Sequence, residues 1–283
     1  MLYYNKLLYY NIFMINRIQT YILVLLFPLV LLVSSANAEV KVVASIKPIH
    51  SLVSYIMDGV GKPDVIVDGY NSPHNFSLKP SHAKMLQNAD LIIWIGEDLE
   101  NFLEKPLNTI AKKAKNIEIM DLNGIKKFAF REKNIFEEHD DHKEHDDHKE
   151  HDDHKEHDDH KGHDDHKGHY DHKGHNHGEY DPHVWLDPIN AKVIIKEITK
   201  QLIKLDSTNS QVYISNSNKA LAEMDNLIQN IKKDLNKDLR FVVFHDAYQY
   251  FENRFGIQVL GALTINPDVK PGAEQLSEIR EII

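Results

Sequence analysis

The chain contains no cysteine in its 283 residues. This absence excludes disulfides, thiolate metal sites and an N-terminal cysteine modified with lipid. Any metal bound by the chain must therefore be held by nitrogen and oxygen atoms. Histidine, with 19 copies, is the residue that stands out instead.

Long hydrophobic runs are missing except near the N-terminus. The segment 21–33 is apolar, Lys6 and Arg17 precede it, and Ala36-Asn37-Ala38 follows it with small residues. This pattern predicts a secretory signal peptide at 1–38. A membrane anchor is the alternative, but 13 residues rise only about 20 Å as a helix, which is short of a bilayer core. We therefore expect a soluble mature protein in the periplasm.

An excess of basic charge is also missing. The formal net charge is −10, and most of it lies in one segment, residues 139–174, where Asp and Glu outnumber Lys. The rest of the chain is nearly neutral and has no basic stripe, so nucleic acid is not an expected partner.

The segments after residue 38 alternate between strand and helix patterns. Strands are predicted at 40–46, 65–67, 91–96 and 117–122, and the helices between them at 49–57, 79–89 and 99–114. Strands that alternate with helices indicate a parallel α/β sheet covered on both faces.

A histidine-rich tract interrupts this pattern. Between His139 and His177 the chain holds 14 of its histidines, 12 of them in six copies of a six-residue unit such as His-Asp-Asp-His-Lys-Glu. The unit has almost no apolar side chains to bury, which predicts a disordered loop at 137–180. Its histidines, spaced three apart with carboxylates between them, favour loose zinc binding over a merely solvated linker. We expect them to release zinc below about pH 6, because an unperturbed imidazole has a pKa near 6.5.

Helical spacing resumes at Asp187-Pro188, an N-cap followed by a first helical residue. A helix is predicted to about 206, and a second one at 210–235. Strands at 241–244 and 257–263 and helices at 248–255 and from 273 onward follow. The helical pattern stops at Ile283 without a cap, and we interpret this as a truncated C-terminus.

Five histidines lie outside the tract, and three of them sit in loops or at strand ends. His74 lies in a Ser-Pro-His-Asn-Phe turn, His183 follows Asp181-Pro182, and His245 ends the apolar run 241–244. In open α/β sheets, ligands bind at the carboxyl ends of the strands. Three neutral imidazoles form a donor set that suits zinc better than manganese.

Four segments of the chain resemble those of ZnuA-type zinc-binding proteins of ABC transporters. They are Ser72-Pro73-His74-Asn75-Phe76-Ser77-Leu78-Lys79-Pro80-Ser81, Asp181-Pro182-His183-Val184-Trp185-Leu186-Asp187-Pro188, Phe244-His245-Asp246-Ala247-Tyr248 and Asn266-Pro267-Asp268-Val269-Lys270-Pro271-Gly272-Ala273. The resemblance covers essentially all of 39–283, and this family carries a His-rich insertion at the same place.

The resemblance implies two α/β lobes joined by one long rigid helix, with metal in the cleft between the lobes. Its implied organisation is a signal peptide at 1–38, an N-terminal lobe at 39–188 that includes the His-rich loop, a linking helix at 189–206 and a C-terminal lobe at 207–283. Zn²⁺ ligation is implied for His74, His183 and His245, and manganese-specific relatives tend to have a carboxylate where His245 stands. The implied partners are a membrane permease and its ATPase, with the receptor acting as a monomer. A rigid linking helix implies a small closing movement.

Two other function classes compete with a transport receptor. A zinc hydrolase could use three histidines and an activated water, but the chain lacks a His-Glu-x-x-His helix and any motif that positions a general base. A zinc buffer or metallochaperone could act through the tract alone, although this leaves the three other histidines unexplained.

Several further residues are weaker candidates for the site. His50 is a minor candidate ligand near the cleft mouth, and His82 is expected to be exposed on a polar helix start. Asp187 is expected to cap a helix, and Asp246 is a candidate to orient His245 through a hydrogen bond. The aromatic residues Tyr248, Tyr250 and Phe251 are expected in the core or the cleft wall.

Overall fold

The computed structural model describes residues 14, 39–131, 133–136, 178–265, 267 and 270–282. Contacts divide the chain into a unit at 1–39 and a unit at 40–283, and the description below concerns the second. The predicted signal peptide and nearly all of the predicted His-rich loop lie outside the described residues. Among the described helices, none is both long and apolar enough to cross a membrane.

A four-stranded parallel sheet forms the first half of the larger unit. Its strands are β1 (Val42–Ile46), β2 (Asp64–Val67), β3 (Leu91–Trp94) and β4 (Lys115–Glu118), in the order β2-β1-β3-β4. Every residue of β1 and β3 is buried, because the central strands of a parallel sheet are covered on both faces.

Three helices connect these strands: α1 (Lys47–Ile56), α2 (Pro80–Asn88) and α3 (Glu97–Thr109). Helix α3 begins two residues before its predicted start and ends five residues before its predicted end. Its last turn closes when the backbone N–H groups of Ile110 and Ala111 both donate to the carbonyl of Pro106. Strand β4 likewise begins and ends before the predicted 117–122, because backbone bonds from Asp121 and Leu122 curl the chain into turns.

Helix α4 (Pro188–Leu205) leads from the first half of the unit to the second and lies one residue earlier at each end than the predicted linking helix. Asp187 caps it by accepting a hydrogen bond from the backbone N–H of Ile189. Its buried stripe continues the core of the first sheet: Ile194, Ile195, Ile198 and Leu202. At 18 residues the helix spans about 27 Å. Helix α5 (Ser210–Asp234) then packs against α4 and α1.

A second parallel sheet contains β5 (Arg240–His245) and β6 (Gln258–Thr264), connected by α6 (Gln249–Phe255). Helix α7 (Ala273–Ile282) packs against β6. The chain before the His-rich tract also reaches this sheet, because Ile135 bridges to Gly261 in antiparallel fashion. The two parallel sheets and their covering helices give the α/β class that the sequence predicts.

Candidate metal centre

The structure brings together three of the five histidines that lie outside the tract. His74, His183 and His245 each offer a ring nitrogen, and these three atoms all lie within 4.8 Å of one another. The ring centroids are 5.4–5.8 Å apart. No other group of three or more potential ligand side chains meets this criterion within the described residues.

Each histidine reaches the cluster from a different part of the fold. His74 lies in the loop between β2 and α2, and its backbone N–H donates to the Ser72 hydroxyl. His183 lies directly before a short 3₁₀ helix, Val184–Leu186, that leads into α4. His245 is the last residue of β5. The cluster thus includes the carboxyl end of β5 and the loop that follows β2, a placement expected for ligand sites in open α/β folds.

His183 is held by a buried carboxylate and packs against a neighbouring aromatic ring. Asp181 Oδ1 lies 2.7 Å from the ring Nδ1 of His183 and also accepts the backbone N–H of His183, at 2.9 Å. Both residues are buried. The ring of Trp185 packs against the imidazole with a centroid distance of 5.3 Å.

The surroundings of His245 favour its neutral form. Burial lowers the pKa of its imidazole and the nearby His183 lowers it further, while Asp181 opposes the shift. Its Nε2 is buried and has no hydrogen-bond partner among the described residues. A buried imidazole nitrogen without a partner carries a desolvation cost, which coordination of a metal ion would offset. The donor set therefore fits a borderline-soft divalent cation.

An ion-pair network lies next to His245. The guanidinium of Arg131 donates to Asp246 at 3.0 Å and, with both of its terminal nitrogens, to Glu252 at 3.1 and 2.9 Å. Asp246 therefore pairs with Arg131, whereas the carboxylate that contacts a clustered imidazole is Asp181. Burial raises the pKa of Asp246 to about 6, although Arg131 opposes the shift.

The remaining sequence candidates have structural roles. The Nε2 of His50 lies 3.0 Å from the carbonyl of Pro63, outside the cluster. The prediction that His82 is exposed is wrong: the side chain is buried against Phe76 and its Nδ1 accepts the backbone N–H of Lys79 at the start of α2. Tyr250 is fully buried, while 42% of Tyr248 is exposed.

Two residues that matter at the site have weak signals in the sequence. Asp181 lies in the Asp-Pro-His segment, where its spacing two residues before His183 suits a side chain that bonds to the backbone ahead of it. Arg131 gave no local signal, since its partners lie more than 110 residues away.

The chain is similar to known proteins over most of its length. Residues 42–283 match the family described as ZnuA, zinc-uptake complex component A periplasmic. The high-affinity zinc uptake system protein ZnuA of Brucella abortus (strain 2308) is 47% identical over 252 residues, with 88% of this chain and 75% of that protein covered. The protein of the same name from Haemophilus influenzae is 46% identical over 257 residues, with the same coverage.

Solved structures with this fold include proteins that hold zinc. A Zn(II)-bound mutant of AdcAII from Streptococcus pneumoniae aligns with a TM-score of 0.62 at 21% identity, covering 86% of this chain and 76% of that one. A zinc-bound ZnuA deletion mutant aligns with the same score, identity and coverage. At this identity the likeness supports the fold alone. The family is one of uptake components, which confirms the sequence-based prediction that the chain is not an enzyme and rules against a zinc hydrolase. With a family match from residue 42 to the last residue and relatives close to half identical, the chain belongs to the ZnuA family of periplasmic zinc-uptake components.

Proposed function

We propose that this chain is the periplasmic zinc receptor of an ABC-type import system, in which His74, His183 and His245 capture Zn²⁺ and present it to a membrane permease with its partner ATPase. The observation that carries the proposal is the convergence of three imidazole nitrogens, from three separate segments, within 4.8 Å. Tetrahedral zinc bound by three imidazoles at 2.0–2.1 Å requires nitrogens about 3.3 Å apart, so a small inward movement of these side chains completes the geometry.

The organisation predicted from the sequence belongs to the same proposal. Residues 1–38 direct export, 39–188 and 207–283 form the two lobes, and the helix predicted at 189–206 links them. The receptor acts as a monomer, and its lobes move little on binding zinc. Two contacts support a small movement: Arg254 of α6 pairs with Asp187 at the start of α4, at 2.6 and 2.7 Å, and Tyr250 of α6 donates to the carbonyl of Asp181. Small-angle scattering should therefore give nearly superimposable profiles with and without zinc, and a wide lobe rotation would contradict this part.

Zinc calorimetry on protein that lacks residues 139–177 tests the site itself. The matched control is the same protein with His74→Ala, His183→Ala and His245→Ala. We expect one tight site in the first protein and none in the second. A second control, His50→Ala, removes an imidazole outside the cluster and should leave the tight site in place.

The histidine-rich tract supports a second function. Its 14 histidines favour an accessory zinc buffer that binds several ions loosely. If the protein without the tract bound no zinc tightly while the full chain did, the tract would be the functional element and the three-histidine receptor would be refuted.

A further inference from the structure

Asp181 makes a contact with the candidate centre that the family assignment does not address. Its Oδ1 accepts two hydrogen bonds from a single residue, one from the backbone N–H and one from the ring Nδ1 of His183. Its Oδ2 is buried without a hydrogen-bond partner among the described residues. The side-chain bonding of Asp181 is therefore concentrated on His183.

This contact selects one form of the imidazole. A carboxylate offers only acceptors, so the ring Nδ1 must carry the hydrogen. In the neutral ring the free electron pair then lies on Nε2. With both the ring and the backbone of His183 tied to one oxygen, the ring can rotate little. Metal-bound histidines commonly have their other nitrogen bonded to a carboxylate in this way.

The backbone of Asp181 makes hydrogen bonds through both its N–H and its carbonyl. Its N–H donates to the carbonyl of Phe128 at 2.8 Å, and its carbonyl accepts the hydroxyl of Tyr250 at 2.6 Å. The same hydroxyl accepts the backbone N–H of Phe128 at 3.1 Å. Burial raises the pKa of Tyr250 well above its ordinary value, so the hydroxyl keeps the hydrogen that it donates.

Tyr250 lies on α6, five residues after His245. The hydroxyl therefore connects the segment that carries His183 with the element that follows His245. From these contacts we infer that Asp181 is a positioning residue, which fixes His183 as the Nδ1–H tautomer and aims Nε2 at the metal. Tyr250 anchors the backbone of Asp181 to α6, the helix that connects the two strands of the second sheet. The metal-binding part of this inference rests on the proposed function, whereas the tautomer does not.

The test uses the full chain and two readouts. The first is the tautomer of His183 in the metal-free protein, read from ring ¹⁵N shifts at pH 8 and assigned by the signal that is lost in His183→Gln. The second is the affinity of the tightest zinc site, measured by competition with a chelator below one equivalent of zinc. Circular dichroism checks that each variant is folded.

Asp181→Ala removes the acceptor, so we expect His183 to lose its Nδ1–H preference and the tightest site to weaken by about 10–100-fold. Asp181→Asn keeps an acceptor oxygen but loses the charge, so the tautomer should persist and the affinity should fall by about tenfold or less. Tyr250→Phe should keep the tautomer and weaken the site by less than Asp181→Ala does. The control is Glu100→Gln, at a fully buried carboxylate on α3 whose Oε2 accepts the backbone N–H groups of Ile95 and Gly96. It should leave the tautomer unchanged and the affinity within about twofold.

The outcomes separate this inference from the proposed function. An Nε2–H tautomer in the wild type, or an unchanged tautomer and affinity in a folded Asp181→Ala, would overturn the role of Asp181. If the alanine variant failed to fold, an Asp181→Asn protein that lost the Nδ1–H tautomer would overturn it as well. If instead the wild type had the expected tautomer but its tightest site survived loss of the three histidines, the proposed function would fail while the orienting contact stood.

Discussion

Glu100 is a fully buried acidic side chain in the first half of the fold and offers a quantitative test. It lies on α3, and its Oε2 accepts the backbone N–H groups of Ile95 and Gly96 at 2.7 and 3.2 Å. Burial raises the pKa of Glu100 to about 7, because the Ser45 side chain and the two backbone donors only partly offset the desolvation, and the charge of Glu118 adds to the rise.

The raised pKa makes the free energy of unfolding depend on pH. Between 4.5, the ordinary pKa of Glu, and about 7, the folded state binds a proton more tightly than the unfolded state does. The contribution of the protonated form is therefore complete below pH 4.5 and is lost as the pH rises towards 7. A shift of about 2.5 units at 1.36 kcal/mol per unit corresponds to about 3 kcal/mol.

Glu100→Gln removes this titration and nearly preserves the shape of the side chain. The difference in the free energy of unfolding, wild type minus variant, should fall by about 3 kcal/mol between pH 4 and pH 8. Urea denaturation followed by tryptophan fluorescence measures both proteins across this range. Glu118, whose pKa burial also raises to about 7, is present in both, so its own contribution largely cancels. Parallel stability curves for the two proteins would refute the reasoning.

Two further predictions concern the ion-pair network and the linking helix. Arg131→Met leaves two buried carboxylates without their cation, so we expect a loss of about 3–5 kcal/mol in urea denaturation. Lys192→Met, which breaks a pair whose Asp partner is exposed, should cost below about 1 kcal/mol, and equal losses would contradict the argument. Leu202→Ala truncates a fully buried side chain of α4 and should cost about 2–5 kcal/mol. Leu205→Ala, at the exposed end of the same helix, should change stability by about 0.5 kcal/mol or less, and a loss as large as that of the buried variant would show that burial is not the cause.

The order of the secondary structure could be predicted from the sequence because its signals are local. The apolar run at β3, the Asp-Pro start of α4 and the helical spacing along that helix each lie within one segment. The boundaries of α3 and β4 were less accurate. They are set by backbone bonds in the turns that follow them, and side-chain periodicity does not report these bonds.

The three clustered histidines could be selected from the sequence for a similar reason. His74, His183 and His245 stand beside turn residues or at the end of an apolar run, and parallel strands bring their carboxyl ends to common edges. Sequence thus determined the α/β class, the candidate imidazoles and their nitrogen chemistry.

Only the tertiary structure decided how these groups are supported. The partners of Arg131 lie 115 and 121 residues away, and Tyr250 reaches across 69 residues to Asp181. Long-range contacts of this kind produce no periodic or local pattern in the sequence, because they depend on where the two sheets place their loops. The sequence therefore specifies which side chains are available for a metal site, while packing specifies which of them are oriented, neutral and close enough to form one.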